Sequence, residues 1–321
     1  MRVIAQTLQS LPQVLVDGVT LGAVYATVAL GYTMVYGILE LINFAHGEIF
    51  MSGAFIGTAI LLVLNGAGWL AHLPKLLVLL LTMLVAMALT GLLGMGIERV
   101  AYRPLRNAPR LIPLISAIGV SFVLQDVVRF IAEWRTGNYI VTGVTLYGSE
   151  VNFGSVTVKS NALFVLGAAV VMMAGLDLFV RKTKWGTAMR AVAQDKDTAA
   201  LMSINVNRVI ALTFFMGSAL GGATGVLFAQ QYGTIDPYIG FILGLKAFTA
   251  AVLGGIGNIR GAMFGGFVIG ILEMFASAEL GPLTGGVLGA EYKDVFAFLI
   301  LIAVLLFKPE GLFGQAVKEK V

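Results

Sequence analysis

Runs of apolar residues, each close to twenty long and separated by short polar connections, restrict what this chain can fold into more than any motif does. An α-helix needs about 20 such residues to cross a hydrocarbon core of about 30 Å, and inside lipid its backbone N–H and C=O groups must be satisfied within the segment. Apolar segments lie near 14–37, 42–64, 75–97, 111–133, 161–181, 207–230, 238–256, 262–280 and 292–308. They use up the chain: 58% of its 321 residues are hydrophobic and 12% are charged, which leaves no stretch for a sizeable soluble domain. The expectation is therefore an all-α polytopic membrane protein, one transmembrane domain over 1–321 built as a bundle of about eight or nine helices. The segment 42–64 and the Gly-rich pair 238–256 and 262–280 are the weakest helix formers, so short, interrupted or re-entrant helices are expected there.

In a soluble protein a net charge of +4 would suggest nucleic acid as a partner, but here the basic residues cluster in a few loops, which points to orientation and to no nucleic acid. The loop 98–110 carries Arg99, Arg103, Arg106 and Arg110; a second, about 182–208 with Arg181 at its edge, carries Lys182, Lys184, Arg190, Lys196 and Arg208. Both face the cytoplasm by the positive-inside rule, with Arg260 and the C-terminal Lys308, Lys318 and Lys320 on the same side. The connection at about 134–160 has only Arg135 and Lys159 as basic residues and is expected outside. Nine alternating spans then give a multi-pass chain with a cytoplasmic C-terminus and an external N-terminus. Residues 1–13 show no removable signal peptide. The alanine-rich, charge-alternating run from Gly186 to Leu201 should form one or two short helices. These are either a solvated surface or a docking element in which the small Ala199 and Ala200 allow close approach.

Glycines four apart, at Gly18 and Gly22, Gly53 and Gly57, Gly217 and Gly221, and Gly257, Gly261 and Gly265, line single helix faces and let backbones pack closely. In LINFAHGEIFMSG (41–53), Asn43, His46, Gly47 and Glu48 interrupt apolar sequence. Two readings stand: an interrupted helix whose end faces a translocation path, or an interfacial loop in headgroup water. A related pattern at Gly257-Asn258-Ile259-Arg260-Gly261 suggests a weak internal repeat and makes Asn258 a further candidate. Asp126 and Arg129, three apart, and Asp177 and Arg181, four apart, can neutralise each other. Lys246 and Glu273 in neighbouring spans either pair across the bundle or meet a polar substrate. The candidate path residues are thus Asn43, His46, Glu48, Lys246, Asn258 and Glu273. The other histidine, His72, is on a different loop, so no metal site is expected, and the chain has no cysteine. No P-loop and no hydrolase constellation occurs. The chain has the parts of a conduit but not of an enzyme, and no cofactor is expected.

Six stretches carry a resemblance: GVTLGAVYATVALGYTMVYGILELINFAHGEIFMSGAF (18–55), IERVAYRPLR (97–106), LISAIGVSFVLQ (114–125), NVNRVIALTF (205–214), LKAFTAAVLGGIGNIRGAMFGG (245–266) and EYKDVFAFLILIAVLLFKPEGLFG (291–314). In these the chain resembles the branched-chain amino acid ABC transporter permeases of the LivH type. The resemblance implies a bacterial inner-membrane permease, embedded in lipid, that pairs with a homologous second permease subunit and two cytoplasmic ABC ATPases. A periplasmic amino-acid-binding protein would deliver leucine, isoleucine or valine, and ATP would drive alternating access. It also implies an ATPase-coupling role for Gly186, Ala193, Asp195, Ala199, Ala200, Ile204 and Asn205. Ser203 stands where such permeases usually have glycine, which would suit a left-handed helix end at less cost. The loop also lacks the Glu-Ala-Ala start of more distant ABC permeases. The resemblance leaves an ABC permease for urea, amides or other amino acids as the alternative, and an ion-coupled secondary transporter is a further one. A membrane enzyme would need more convergent titratable groups than the sequence holds.

Overall fold

A computed structural model describes residues 2–314 except 40, 42, 107, 110, 155 and 309; Arg110, Lys318 and Lys320 of the basic loops lie outside the described residues. Each expected apolar segment coincides with a helix. They are α1 (Arg2–Leu39), α2 (His46–Gly66), α3 (Lys75–Ile97), α4 (Leu111–Thr136), α5 (Ser160–Lys182), α8 (Val206–Tyr232), α9 (Ile239–Gly254), α10 (Ile259–Leu283) and α11 (Lys293–Phe307). Two short helices, α6 (Lys184–Gln194) and α7 (Lys196–Leu201), fill the second basic loop. Seven of the described helices are long and apolar enough to cross a membrane. The 16 residues of α9 reach only about 24 Å, and the 15 of α11 about 22 Å.

α1, α2 and α8 form the interior of the bundle, while α4 and α5 are mostly on its outside. The glycine faces explain how helices so poor in bulky side chains become central. On α1, Gly18 and Gly22 lie against the backbone of α10 at Ile271 and Phe267, leaving no room for a Cβ. On α2, Gly53 faces Gly222 of α8 and Gly47 faces Gly240 and Gly244 of α9. Gly261 and Gly265 of α10 meet Gly254 and Ala250 of α9, whereas Gly257 precedes the helix at positive φ and a Cβ there would meet open space. Lipid tails are as apolar as leucine, so such close approach, through van der Waals contact, holds the bundle together. On α3 and α4 large side chains turn outward: Leu80, Leu84 and Leu92 on α3 and Phe122, Phe130 and Ile131 on α4 are exposed, as suits a lipid-facing surface.

The two ends of the bundle differ in kind. At one end the basic loops meet, since Arg106 Nη1 donates to Asn207 Oδ1 at 2.6 Å and Arg260 Nη2 reaches Asp177 Oδ2 at 3.3 Å. The segment after α11 returns to this end, where Leu312 N and Phe313 N donate to the Leu253 and Gly254 carbonyls and satisfy the terminus of α9. The opposite end carries the short strands. β1 (Val141–Thr142) pairs antiparallel with β4 (Thr234–Ile235), and β2 (Glu150–Phe153) pairs with β3 (Val156–Lys159). Gln230 of α8 anchors this cover by accepting from Leu146 N and donating to the Val144 carbonyl. Gln13 exchanges hydrogen bonds with the Thr157 backbone, which puts the beginning of α1 at the same end.

Candidate functional site

After α1 the chain turns back into the bundle before α2 begins. Asn43 is 3% exposed, His46 1% and Glu48 0%, which removes these side chains from headgroup water. Glu48 Oε1 accepts from Ser121 Oγ at 3.0 Å and Gln125 Nε2 at 2.7 Å, both on α4. Those residues stand 10 and 14 positions into α4, about 15 and 21 Å along its axis, so Glu48 lies near the middle of the bundle's depth. The ring of His46 is set edge-on to Tyr32, with centroids 4.8 Å apart, in space that exists because residue 31 is glycine. Ala45 offers no side chain to cap α2, and Glu48 sits in its first turn, where the helix dipole favours negative charge. Buried polar atoms of this group, Glu48 Oε2 and Asn43 Nδ2 among them, have no hydrogen-bond partner among the described residues.

Across the bundle, Lys246 of α9 lies 2.7 Å from both Glu273 Oε1 of α10 and Asp294 Oδ1 of α11. Tyr25 OH donates to the other Glu273 oxygen at 2.7 Å, and Lys293 Nζ is 3.8 Å from Glu273 Oε1. Two cations thus face two anions, the condition under which charge is tolerated away from water. The cluster borders a cavity of about 480 Å³ whose walls include Leu21, Phe228, Leu243 and Tyr232. Asn258 is in a third place. It caps α10 by accepting from Arg260 N and Gly261 N, and its Nδ2 donates to the Phe313 carbonyl at the basic end. The six candidate path residues therefore occupy two interior clusters and one rim position. The ion pairs expected on single helices form, at 3.6 Å for Asp126 and Arg129 and 2.8 Å for Asp177 and Arg181.

The second basic loop is a folded elbow. Thr183 Oγ1 caps α6 by accepting from Gly186 N, and Gly186 lies against the Val180 backbone where a Cβ would not fit. α6 buries Met189 and Val192 on the bundle and leaves Ala193 outside. Asp195 ends α6 and caps α7, its carboxylate accepting from Asp197 N, Thr198 N and Thr198 Oγ1. Ile204 N then bonds to the Ala199 carbonyl and Ser203 N to that of Ala200, with Ser203 at φ 62°. This is the left-handed helix end that glycine usually provides. Asn205 caps α8 by accepting from Arg208 N. Ala199 is buried against its own chain; Ala200 is exposed, and Leu201 and Met202 at the tip are 85% and 74% exposed.

Sequence reasoning did not single out Ser121 and Gln125, although polar residues four apart in an apolar helix share one face and could have been noticed. It also passed over Leu201 and Met202, an apolar pair at the end of a charged amphipathic run. The partners Tyr25 and Asp294 had no local signal, because only the packing of α1 and α11 brings them to Glu273.

A family model described as the permease component of a branched-chain amino acid transport system matches residues 14–305. The chain is 44% identical over 311 residues to the high-affinity branched-chain amino acid transport system permease protein BraD of Pseudomonas aeruginosa, covering 96% of this chain and 97% of that protein. It is 45% identical over 315 residues, with the same coverage, to the corresponding LivH of Escherichia coli K12. Among solved structures, PsaBC from Streptococcus pneumoniae in complex with Fab is similar at a TM-score of 0.50 and 11% identity, over 96% of this chain and 97% of that one. At that identity the likeness is one of fold alone.

Proposed function

Since the chain belongs to the family of permease components of branched-chain amino acid transport systems, we propose that it is the membrane subunit of an ABC importer that carries leucine, isoleucine and valine. The observation that carries this reading is the 44–45% identity to high-affinity branched-chain amino acid permeases along nearly the whole of both chains. In this reading one of two cytoplasmic ATPases docks on the elbow of α6 and α7, whose apolar tip at Leu201 and Met202 gives a partner surface something to bury. A homologous second permease completes the membrane unit, and a periplasmic binding protein delivers substrate to the end that carries β1 to β4. The basic end faces the cytoplasm with the C-terminus, as the positive-inside rule requires, in the inner membrane of a bacterium.

ATP binding draws the ATPases together, the elbow moves with them, and the bundle exchanges inward-facing and outward-facing arrangements. Substrate shifts this equilibrium only by its differential affinity for the two states. Nucleotide chemistry belongs to the partners, and this chain contributes the path. Uptake of labelled leucine into cells lacking their own system, with and without the partner subunits, tests the proposal. Uptake that needs every partner and survives collapse of the proton gradient is expected; uptake by this chain alone that collapses with the gradient would replace the reading with a secondary transporter.

A further inference from the structure

α3 does not end as an ordinary helix. It runs into a π-helical turn at Glu98–Tyr102 and then a 3₁₀ turn at Arg103–Leu105. π turns are rare and occur mostly as single turns within helices, frequently at functional sites. This one directs two polar side chains, Glu98 and Tyr102, into the protein, where both are buried. Tyr102 OH donates to Asn43 Oδ1 at 2.6 Å, holding the stretch that leads into α2, and the Tyr102 ring packs on Phe214 of α8 with centroids 5.5 Å apart. Glu98 pairs with Arg106, and Arg106 Nη1 donates to Asn207 Oδ1 at 2.6 Å. Asn207 is two residues beyond Asn205, the cap that closes the elbow.

We propose that this turn is the link that transmits movement of the elbow to the interrupted start of α2, with Arg106, Glu98, Tyr102 and Asn43 as positioning residues that keep ATP hydrolysis in step with transport. Contacts run without a gap from Asn207 through Arg106 to Glu98, along the π turn to Tyr102, and on to Asn43. The link has the means to change state. A π turn can revert to the α-helical register, which rotates the residues beyond it, and at each end polar atoms have spare capacity. Among the described residues Asn43 Nδ2 and Arg106 Nε are buried without partners, so a second arrangement can gain hydrogen bonds that this one lacks. Were the group only a structural plug, satisfied pairs would serve better than these half-used ones. The proposal rests on the reading of 182–208 as the ATPase-docking segment.

The test uses the complete transporter in proteoliposomes, with both permeases, the ATPases and the binding protein, and measures ATP hydrolysed per leucine imported. The unsubstituted complex is measured first; absence of ATP-driven leucine import there would remove the proposed function itself, before any variant is read. Tyr102→Phe and Arg106→Gln are then expected to keep hydrolysis while raising ATP consumed per leucine about 3- to 10-fold, the size of mutational changes in coupling. The double variant is expected to be no worse than the worse single one, because both cut the same chain of contacts. Unchanged stoichiometry in both single variants would overturn the proposal. So would effects that add in the double variant and follow a falling yield of assembled complex, since that marks a loss of stability alone.

Discussion

At the residue scale, Ser203 and Glu48 illustrate two ways in which a single side chain meets a demand set by its surroundings. Ser203 is the one described non-glycine residue at positive φ, and a residue with a Cβ pays about 1 kcal/mol or more in that conformation. Ser203→Gly should therefore raise the thermal unfolding temperature of the purified chain, by a gain of up to about 1 kcal/mol, with no loss of leucine uptake. A fall in that temperature would show that the serine hydroxyl has a use the backbone geometry does not reveal. Glu48 is the shared acceptor of two donors, Ser121 and Gln125, inside the bundle. Glu48→Ala leaves both donors unsatisfied and is expected to cost about 2 kcal/mol or more, while Glu48→Gln keeps an acceptor oxygen and should recover most of that. Equal melting temperatures for the two variants would contradict this account. The left-handed helix end at Ser203 was signalled only by the resemblance, through the glycine that related permeases usually have there, because a serine gives no local sign of that conformation. The partners of Glu48 could not be read from the sequence, because they lie 73 and 77 residues away.

At the scale of elements, the elbow of α6 and α7 shows what a local pattern does and does not reveal. Its caps, Thr183, Asp195 and Asn205, are residues whose side-chain oxygens accept from backbone N–H groups a few positions on, so helix starts were readable from residue type and spacing. Which face of the elbow stays exposed was not readable. Ala199 and Ala200 are equivalent as sequence, yet the bundle covers the first and leaves the second exposed. A charge at Ala199 would disturb the elbow's own packing and confuse a docking test. Leu201→Asp with Met202→Asp avoids that: the paired change should abolish co-purification of the ATPases while shifting stability by only about 0.5 kcal/mol. ATPases that still co-purify in full would place the docking surface elsewhere. α2 makes the complementary point. Glycine and polar residues near its start signalled an interruption, but the depth of that interruption follows from α4, α8 and α9 packing around it.

At the scale of the whole molecule, the basic loops gather at one end and the strands with the start of α1 at the other, so one orientation in the membrane fixes the side of every loop. The chain has no cysteine, which allows single ones to be introduced as reporters. In intact cells with the outer membrane permeabilised, Phe153→Cys should react with a membrane-impermeant thiol reagent, while Met202→Cys should react only after the inner membrane is opened. The reverse pattern would invert the proposed orientation. By itself the sequence determined that this is a helical membrane bundle, where its spans fall, which loops are basic and which family it belongs to. Those properties follow from hydrophobic length, charge distribution and local residue type, each expressed within one segment. Only the tertiary structure decided that Glu48 meets α4, that Lys246 is shared by Glu273 and Asp294, and that Tyr102 holds Asn43. Helix faces of glycine and alanine fit many neighbours almost equally well, so the choice of neighbour comes from backbone shape matched along whole helices.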